Sequence, residues 1–90
     1  MRGTCTAAST AKLKLSRENG RVEVEFEVNQ NRNGVRWSVV LRRNGQVFRR
    51  VSRVTLAPSG SFEVRALAGG GRITATATRP GETCRAVASL

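Results

Sequence analysis

Apolar and polar residues alternate in short segments that return about every 10–12 residues along the chain. In residues 21–28, RVEVEFEV, the Val and Phe residues share one face of an extended chain, and the Glu residues share the other. No segment has the 3.6-residue period of an amphipathic helix. Seven segments of this kind, with the fourth irregular near Val51, are separated by short turns. The predicted strands are residues 10–16, 21–28, 35–41, 46–56, 61–67, 72–78 and 83–90.

This pattern predicts one all-β domain over residues 1–90. Short alternating strands with a turn between each pair are typical of a seven-stranded antiparallel β-sandwich. Asn44-Gly45 is a two-residue hairpin signal of the type I′ class. No run of about 18 apolar residues is present, so no membrane span is expected.

The alternation also predicts which aromatic side chains are buried. Trp37 has the same parity as Val39 and Leu41, so all three should point into the core. The chain has no Tyr, which leaves no exposed aromatic side chain for the base stacking that single-strand binders use. The predicted core aromatics are Phe26, Trp37, Phe48 and Phe62.

The absence of two residue types bears on catalysis. The chain has no His, and its 6 acidic residues are all Glu. A Ser-His-Asp or Cys-His arrangement is therefore excluded, as is a metal site built on His or on four Cys. We expect a protein that is not an enzyme and that binds neither a cofactor nor a metal.

Cys5 and Cys84 lie near the two ends of the chain and could be free thiols, a redox pair or one structural disulfide. The spacing is not the CxxC of redox proteins. A bridge would close a loop of about 80 residues, worth about 4.5 kcal/mol in the chain-entropy model. These considerations favour a disulfide and hence an exported protein. No signal-peptide pattern precedes Thr4, so export implies that a leader has been removed.

The basic residues are concentrated in the middle of the chain. The net charge is +10, and residues 32–53 contain no acid. On a sandwich these Arg residues belong to the third and fourth strands, with Arg85 on the same sheet beside Thr74, Thr76 and Thr78. Guanidinium groups bind anionic oxygens bidentately, which favours a polyanion partner. The alternative is a solvated surface that keeps edge strands apart. The candidate anion-binding residues are Arg36, Arg42, Arg43, Arg49, Arg50 and Arg85.

The other predicted sheet has balanced charge. Outward positions on its strands are occupied by both signs, which predicts a cross-strand charge ladder worth a few tenths of a kcal/mol per pair. Its members are Lys12 and Lys14 on the first strand, Glu23, Glu25 and Glu27 on the second, and Glu63 and Arg65 on the fifth.

The pattern resembles an immunoglobulin-like sandwich, with Trp37 on the third strand, where immunoglobulin domains have their core Trp. The segments PSGSFEV and RITATAT resemble the fifth and sixth strands of that fold. The chain is also similar to small secreted domains of high-GC Gram-positive bacteria that have a Cys at each end and the run GRVEVEFEV, PSGSFEVR and GETCRA. No activity is assigned to that group.

The resemblance has one departure. Immunoglobulin domains bridge their second and sixth strands, but those positions here are Phe26 and the pair Ala75 and Ala77. The resemblance implies instead that Cys5 and Cys84 join the first and last strands, with the first strand parallel to the last.

The sequence therefore predicts an exported, non-catalytic binding or interaction module of unknown target. The alternative is a polyanion-binding protein directed at nucleic acid or an anionic cell-wall polymer. The partner is a protein or an anionic polymer, and the chain is a monomer or a weak homodimer. The outward residues Val40 and Val87 could form the contact of such a dimer.

Overall fold

The computed structural model describes all 90 residues and contains eight β-strands, one more than the seven predicted. The extra strand is the two-residue β1. No helix long and apolar enough to cross a membrane is present. The strands are β1 Thr4–Cys5, β2 Thr10–Glu18, β3 Arg21–Asn29, β4 Arg36–Arg43, β5 Gln46–Val54, β6 Ser61–Ala68, β7 Arg72–Arg79 and β8 Glu82–Ser89.

The strands form two antiparallel sheets that pack against each other, an all-β arrangement consistent with a β-sandwich. One sheet has five strands in the order β1-β8-β7-β4-β5, and the other has three in the order β2-β3-β6. The predicted type I′ hairpin between β4 and β5 is confirmed, because Asn44 and Gly45 both have positive φ, at 49° and 87°.

The core lies between the sheets and follows the alternation of the strands. It contains 17 buried residues, drawn from β2, β3 and β6 on one side and from β4, β7 and β8 on the other. Trp37 and Phe26 are fully buried, and Phe62 is almost so. Phe48, also predicted to point inward, is only half-buried against the edge of the core.

The position of Phe48 has a local cause. Leu41 pairs with Arg49, whereas Arg42 pairs with Val47, so Phe48 is an extra residue in β5. Such a β-bulge is typical of edge strands, and β5 is an edge strand. The irregularity that the sequence predicts near Val51 therefore lies at Phe48.

The N-terminal residues tie the two sheets together along one side. Arg2 forms an antiparallel bridge with Lys12 of β2, and β1 then pairs antiparallel with β8. The predicted disulfide is confirmed, because Cys5 lies directly opposite Cys84 in this register and is bonded to it. The predicted parallel pairing of first and last strands is wrong, because the segment that contains Cys5 precedes β2 and runs antiparallel to β8.

Candidate anion-binding site

The outer face of the five-stranded sheet carries rows of side chains that the strand register brings side by side. On β7, Thr74 and Thr76 point outward between the buried Ile73, Ala75 and Ala77. Arg42 of β4 lies opposite Thr74, and Arg85 of β8 lies opposite Thr76. The sheet thus places guanidinium groups on either side of a threonine stripe.

These side chains surround a shallow concavity of about 440 Å³, which we call the arginine concavity. Its floor is the stripe of Thr74 and Thr76, with arginines at its rim and no acid or apolar side chain in its lining. The hydroxyl groups of both threonines make no hydrogen bond within the protein. The lining residues are Arg42, Asn44, Gly45, Arg72, Thr74, Thr76 and Arg85.

The hairpin turn between β4 and β5 anchors one end of the arginine concavity. The Asn44 backbone N–H donates to the Arg72 carbonyl oxygen at 2.8 Å, and the Arg72 N–H donates back to the Asn44 Oδ1 at 3.0 Å. The reciprocal pair fixes the start of β7 beside the end of β4. It therefore keeps the backbone of Arg72 close to that of Arg42.

The guanidinium groups of the concavity have no anionic partner within the protein. The four ion pairs of the structure all use Arg65 or Arg79. Five of the six Glu residues lie on the three-stranded sheet, and Glu82 is buried. Three cations thus share one acid-free concavity, an arrangement that favours capture of an external anion.

The structure separates the six candidate arginines into three groups. Arg42 and Arg85 line the concavity. Arg36 and Arg50 point from the same face, opposite Val54 and Val40, but lie outside it. The interpretation fails for Arg43 and Arg49. Both lie on the opposite face of the sheet, since their register partners, Ile73 and Leu41, are buried core residues.

Two local interactions explain those exceptions. The bulge at Phe48 shifts the parity of β5, which puts Arg49 on the inner side of an edge strand, where it is exposed. The Arg43 Nε donates at 2.8 Å to the carbonyl oxygen of Gly70, so this guanidinium is held at the turn between β6 and β7.

Arg72 is the site residue that the sequence analysis did not select. It begins the segment RITATAT, in which Thr74 and Thr76 were placed outward. The period-2 rule puts Arg72 on the same face, so the signal was present in the parity of this strand. The concentration of Arg in residues 32–53 does not point to Arg72, which lies apart from them.

The three-stranded sheet carries the predicted charges of both signs on its outer face. Lys12 lies opposite Glu27, and Lys14 lies opposite Glu25. The ion pairs are nevertheless made by Arg65, whose guanidinium lies 2.7 Å from Glu63 and 3.5 Å from Glu25. Neither lysine forms an ion pair. Arg65 therefore pairs with three of the five acids on this sheet, in contrast to the arginines of the concavity, which have no acidic partner.

A buried carboxylate lies at the hairpin between β7 and β8, which the sequence analysis treated only as a turn. Glu82 Oε2 accepts the Ser9 N–H at 3.0 Å, and Oε1 accepts the Ser9 Oγ–H at 2.7 Å and Arg79 Nη2 at 3.0 Å. The Glu82 carboxylate and the two sulfurs of the disulfide lie within 4.8 Å of one another. Those sulfurs are bonded to each other, so they are not thiolate ligands for a metal ion. The carboxylate oxygens already accept hydrogen bonds from Ser9 and Arg79.

The environment of Glu82 makes stability depend on pH. Burial opposes its charged form, but the hydrogen bonds from Ser9 and the nearby Arg79 outweigh it and lower the pKa of Glu82 below its ordinary 4.5. A lowered pKa in the folded state means that the carboxylate stabilises the fold above pH 4.5. This contribution is lost as the pH falls through the lowered value.

Glu82→Gln is expected to cost about 2 kcal/mol at pH 7, because it leaves Arg79 and Ser9 with a poorer partner. The variant should lose less stability than the parent protein as the pH falls below 4.5. Urea unfolding followed by circular dichroism between pH 7 and pH 3 measures both effects. Glu63→Gln, at an exposed ion pair, is the control and should cost less than about 0.5 kcal/mol. Equal costs for the two variants would show that burial of Glu82 does not matter.

Comparisons of the chain with protein-family models, with curated proteins and with solved structures find no match. Function is therefore inferred from the chain's own residues. The arginine concavity is the feature that joins unpaired charge, free hydroxyl groups and a fixed backbone in one place.

Proposed function

We propose that this protein is an exported, non-catalytic binding module that holds an anionic polymer on the outer face of its five-stranded sheet. The observation that carries this proposal is the arginine concavity, where three guanidinium groups without an internal partner surround two free threonine hydroxyl groups. Each guanidinium can donate two parallel hydrogen bonds to an anionic oxygen pair. Nucleic acids and anionic cell-wall polymers both belong to the class of partner that this face would bind.

The composition of the face supports recognition of charge and not of base sequence. Its outward residues are Arg, Thr, Ser and Val, with no aromatic side chain for stacking. Trp37 and Phe26 are fully buried in the core. The fold has no helix that could enter the major groove. Contacts to the polymer would therefore go to its charged backbone.

The lack of catalysis is also part of the proposal. The chain has no His, and its buried carboxylate, Glu82, is held by Ser9 and Arg79 away from the arginine concavity. The acid and base that hydrolytic chemistry needs are therefore not present beside the arginines. A binding role accounts for the arginines and threonines of the concavity without a catalytic group.

We also infer that the sandwich is of the immunoglobulin-like type. The order β2-β3-β6 against β8-β7-β4-β5 supports this inference. In constant-type immunoglobulin domains the first, second, fourth and fifth strands form one sheet and the third, sixth and seventh form the other. Here β5, the strand after the third long strand, joins the second sheet, as the strand added after the third does in variable-type domains. Trp37 lies on β4, which is the third long strand. The Cys5–Cys84 disulfide is compatible with an extracellular location and supports the proposed export.

Replacing Arg42, Arg72 and Arg85 together by Ser tests the proposal. Binding to a short DNA duplex, measured by fluorescence anisotropy, should weaken by about 10–100-fold at low salt, because charge-assisted hydrogen bonds are lost. For the parent protein, log affinity should fall with log salt by about 0.9 for each phosphate neutralised. Two duplexes of different sequence should bind equally.

The matched control replaces Lys12, Lys14 and Arg17 on β2 by Ser. All three are exposed, and the change takes the net charge from +10 to +7 (10 − 3), as in the first variant. The control should retain most of the affinity. Equal losses in both variants would show that net charge, not a site, attracts the polymer. Binding that ignores salt, or self-association lost on changing Val40 and Val87 to Ser, would favour a protein partner or a dimer instead.

A further inference from the structure

The donors of the arginine concavity approach from three directions. Arg42 comes from β4, Arg72 from β7 and Arg85 from β8, around the hydroxyl groups of Thr74 and Thr76. Neighbouring strands are about 4.8 Å apart, and successive outward residues on one strand are about 6.8 Å apart. One small group above the two threonines is therefore within reach of all three extended Arg side chains.

This geometry discriminates between kinds of anion. A carboxylate is planar and has two oxygens, so one or two guanidinium groups in its plane satisfy it. A phosphate or sulfate ester is tetrahedral and presents its oxygens in different directions. The donors here come from three adjacent strands, so they can reach a group above the sheet from several sides. They number three forked guanidinium groups and two hydroxyl groups.

We infer that the arginine concavity is a subsite for one tetrahedral oxyanion, a phosphate or sulfate group of the bound polymer, with the Thr74 and Thr76 hydroxyl groups donating to its oxygens. This inference rests on the proposed function and names the chemistry of its ligand. The other outward arginines, Arg36 and Arg50, contribute attraction without this selectivity, because they lie outside the concavity.

Substitutions of the two threonines test the selectivity for a tetrahedral oxyanion without changing the net charge of the protein. Replacing Thr74 and Thr76 together by Val keeps the shape of the stripe and the net charge of +10 but removes both hydroxyl donors. Affinity for polyphosphate should fall about tenfold, since two hydrogen bonds to charged oxygens are lost. Affinity for polyglutamate should not change. Thr78→Val, on the same stripe but outside the concavity, is the control and should leave both affinities unchanged.

The experiment measures binding of polyphosphate, dextran sulfate and polyglutamate of matched charge number by isothermal titration calorimetry at constant ionic strength. The parent protein should prefer the first two over polyglutamate by about tenfold, and the ratio of polyphosphate to dextran sulfate tells whether the site favours phosphate or sulfate groups. Equal affinity for all three polymers, or no effect of the double Val variant, would overturn the subsite while leaving polyanion binding intact. Failure of all three to bind would overturn both proposals.

Discussion

Removing the disulfide by replacing Cys5 and Cys84 with Ala is expected to lower the free energy of unfolding by about 4.5 kcal/mol. The bridge spans a sequence separation of 79 residues, so it constrains almost the entire unfolded chain. The total stability of a domain of 90 residues is on the order of 5–13 kcal/mol. The midpoint of thermal unfolding should therefore fall by about 20–30 °C.

Thermal and urea unfolding followed by circular dichroism measure this loss. Thr4→Ser, next to Cys5 on β1 and opposite Arg85, keeps the bridge and should change stability by less than about 0.5 kcal/mol. Mass spectrometry of the parent protein should give a mass two hydrogens below that of the reduced chain. Free alkylation of both thiols, or a double variant within about 1 kcal/mol of the parent, would contradict a structural bridge.

The pattern of residues predicts most of the sheet architecture because side-chain direction in a strand alternates strictly. The outward direction of Lys14 and Glu25 follows from this rule. So does the burial of Trp37 among Val39 and Leu41. Local periodicity is enough wherever one face of a strand is apolar throughout, because a shift by one residue would expose the whole apolar set.

Two features outside the arginine concavity, the direction of Arg49 and the burial of Glu82, depend on tertiary contacts and cannot be predicted from the period of the pattern alone. The sequence indicates an irregularity in this strand near Val51, but pairing with β4 places the bulge at Phe48, which turns Arg49 to the inner face. Glu82 follows a turn and would be expected in solvent, yet Ser9 and Arg79 surround its carboxylate. Both outcomes follow from contacts between residues far apart in the chain or on different strands.

The core and the arginine concavity are two faces of the same strands. The buried Ala75 alternates on β7 with Thr74 and Thr76, and the buried Leu41 precedes Arg42 on β4. Packing on the inner face therefore determines the spacing of donors on the outer face. A substitution that loosens the core near β4 should weaken ligand binding through the altered position of Arg42, beyond its effect on the folded fraction.

Trp37 is the largest side chain in that core and has specific partners on three sides. Its Nε1 donates to Gln30 Oε1 at 3.1 Å, and its ring lies 6.0 Å from that of Phe62. The Arg79 guanidinium lies 5.5 Å from the indole centroid, within range of a cation–π contact. The side chain is fully buried, so its emission should be blue-shifted and poorly quenched by acrylamide.

Trp37→Ala is expected to cost about 3–5 kcal/mol, since it opens a cavity between the sheets, removes the hydrogen-bond donor to Gln30 and removes the cation–π contact of Arg79. Trp37→Phe keeps an aromatic ring against Phe62 and should cost less than half as much. Urea unfolding by circular dichroism measures both, because the protein has 1 Trp and its replacement removes the fluorescence signal. Parent emission like that of indole in water, with free quenching, would contradict burial. It would instead place an aromatic ring on the surface, where a polymer could stack on it.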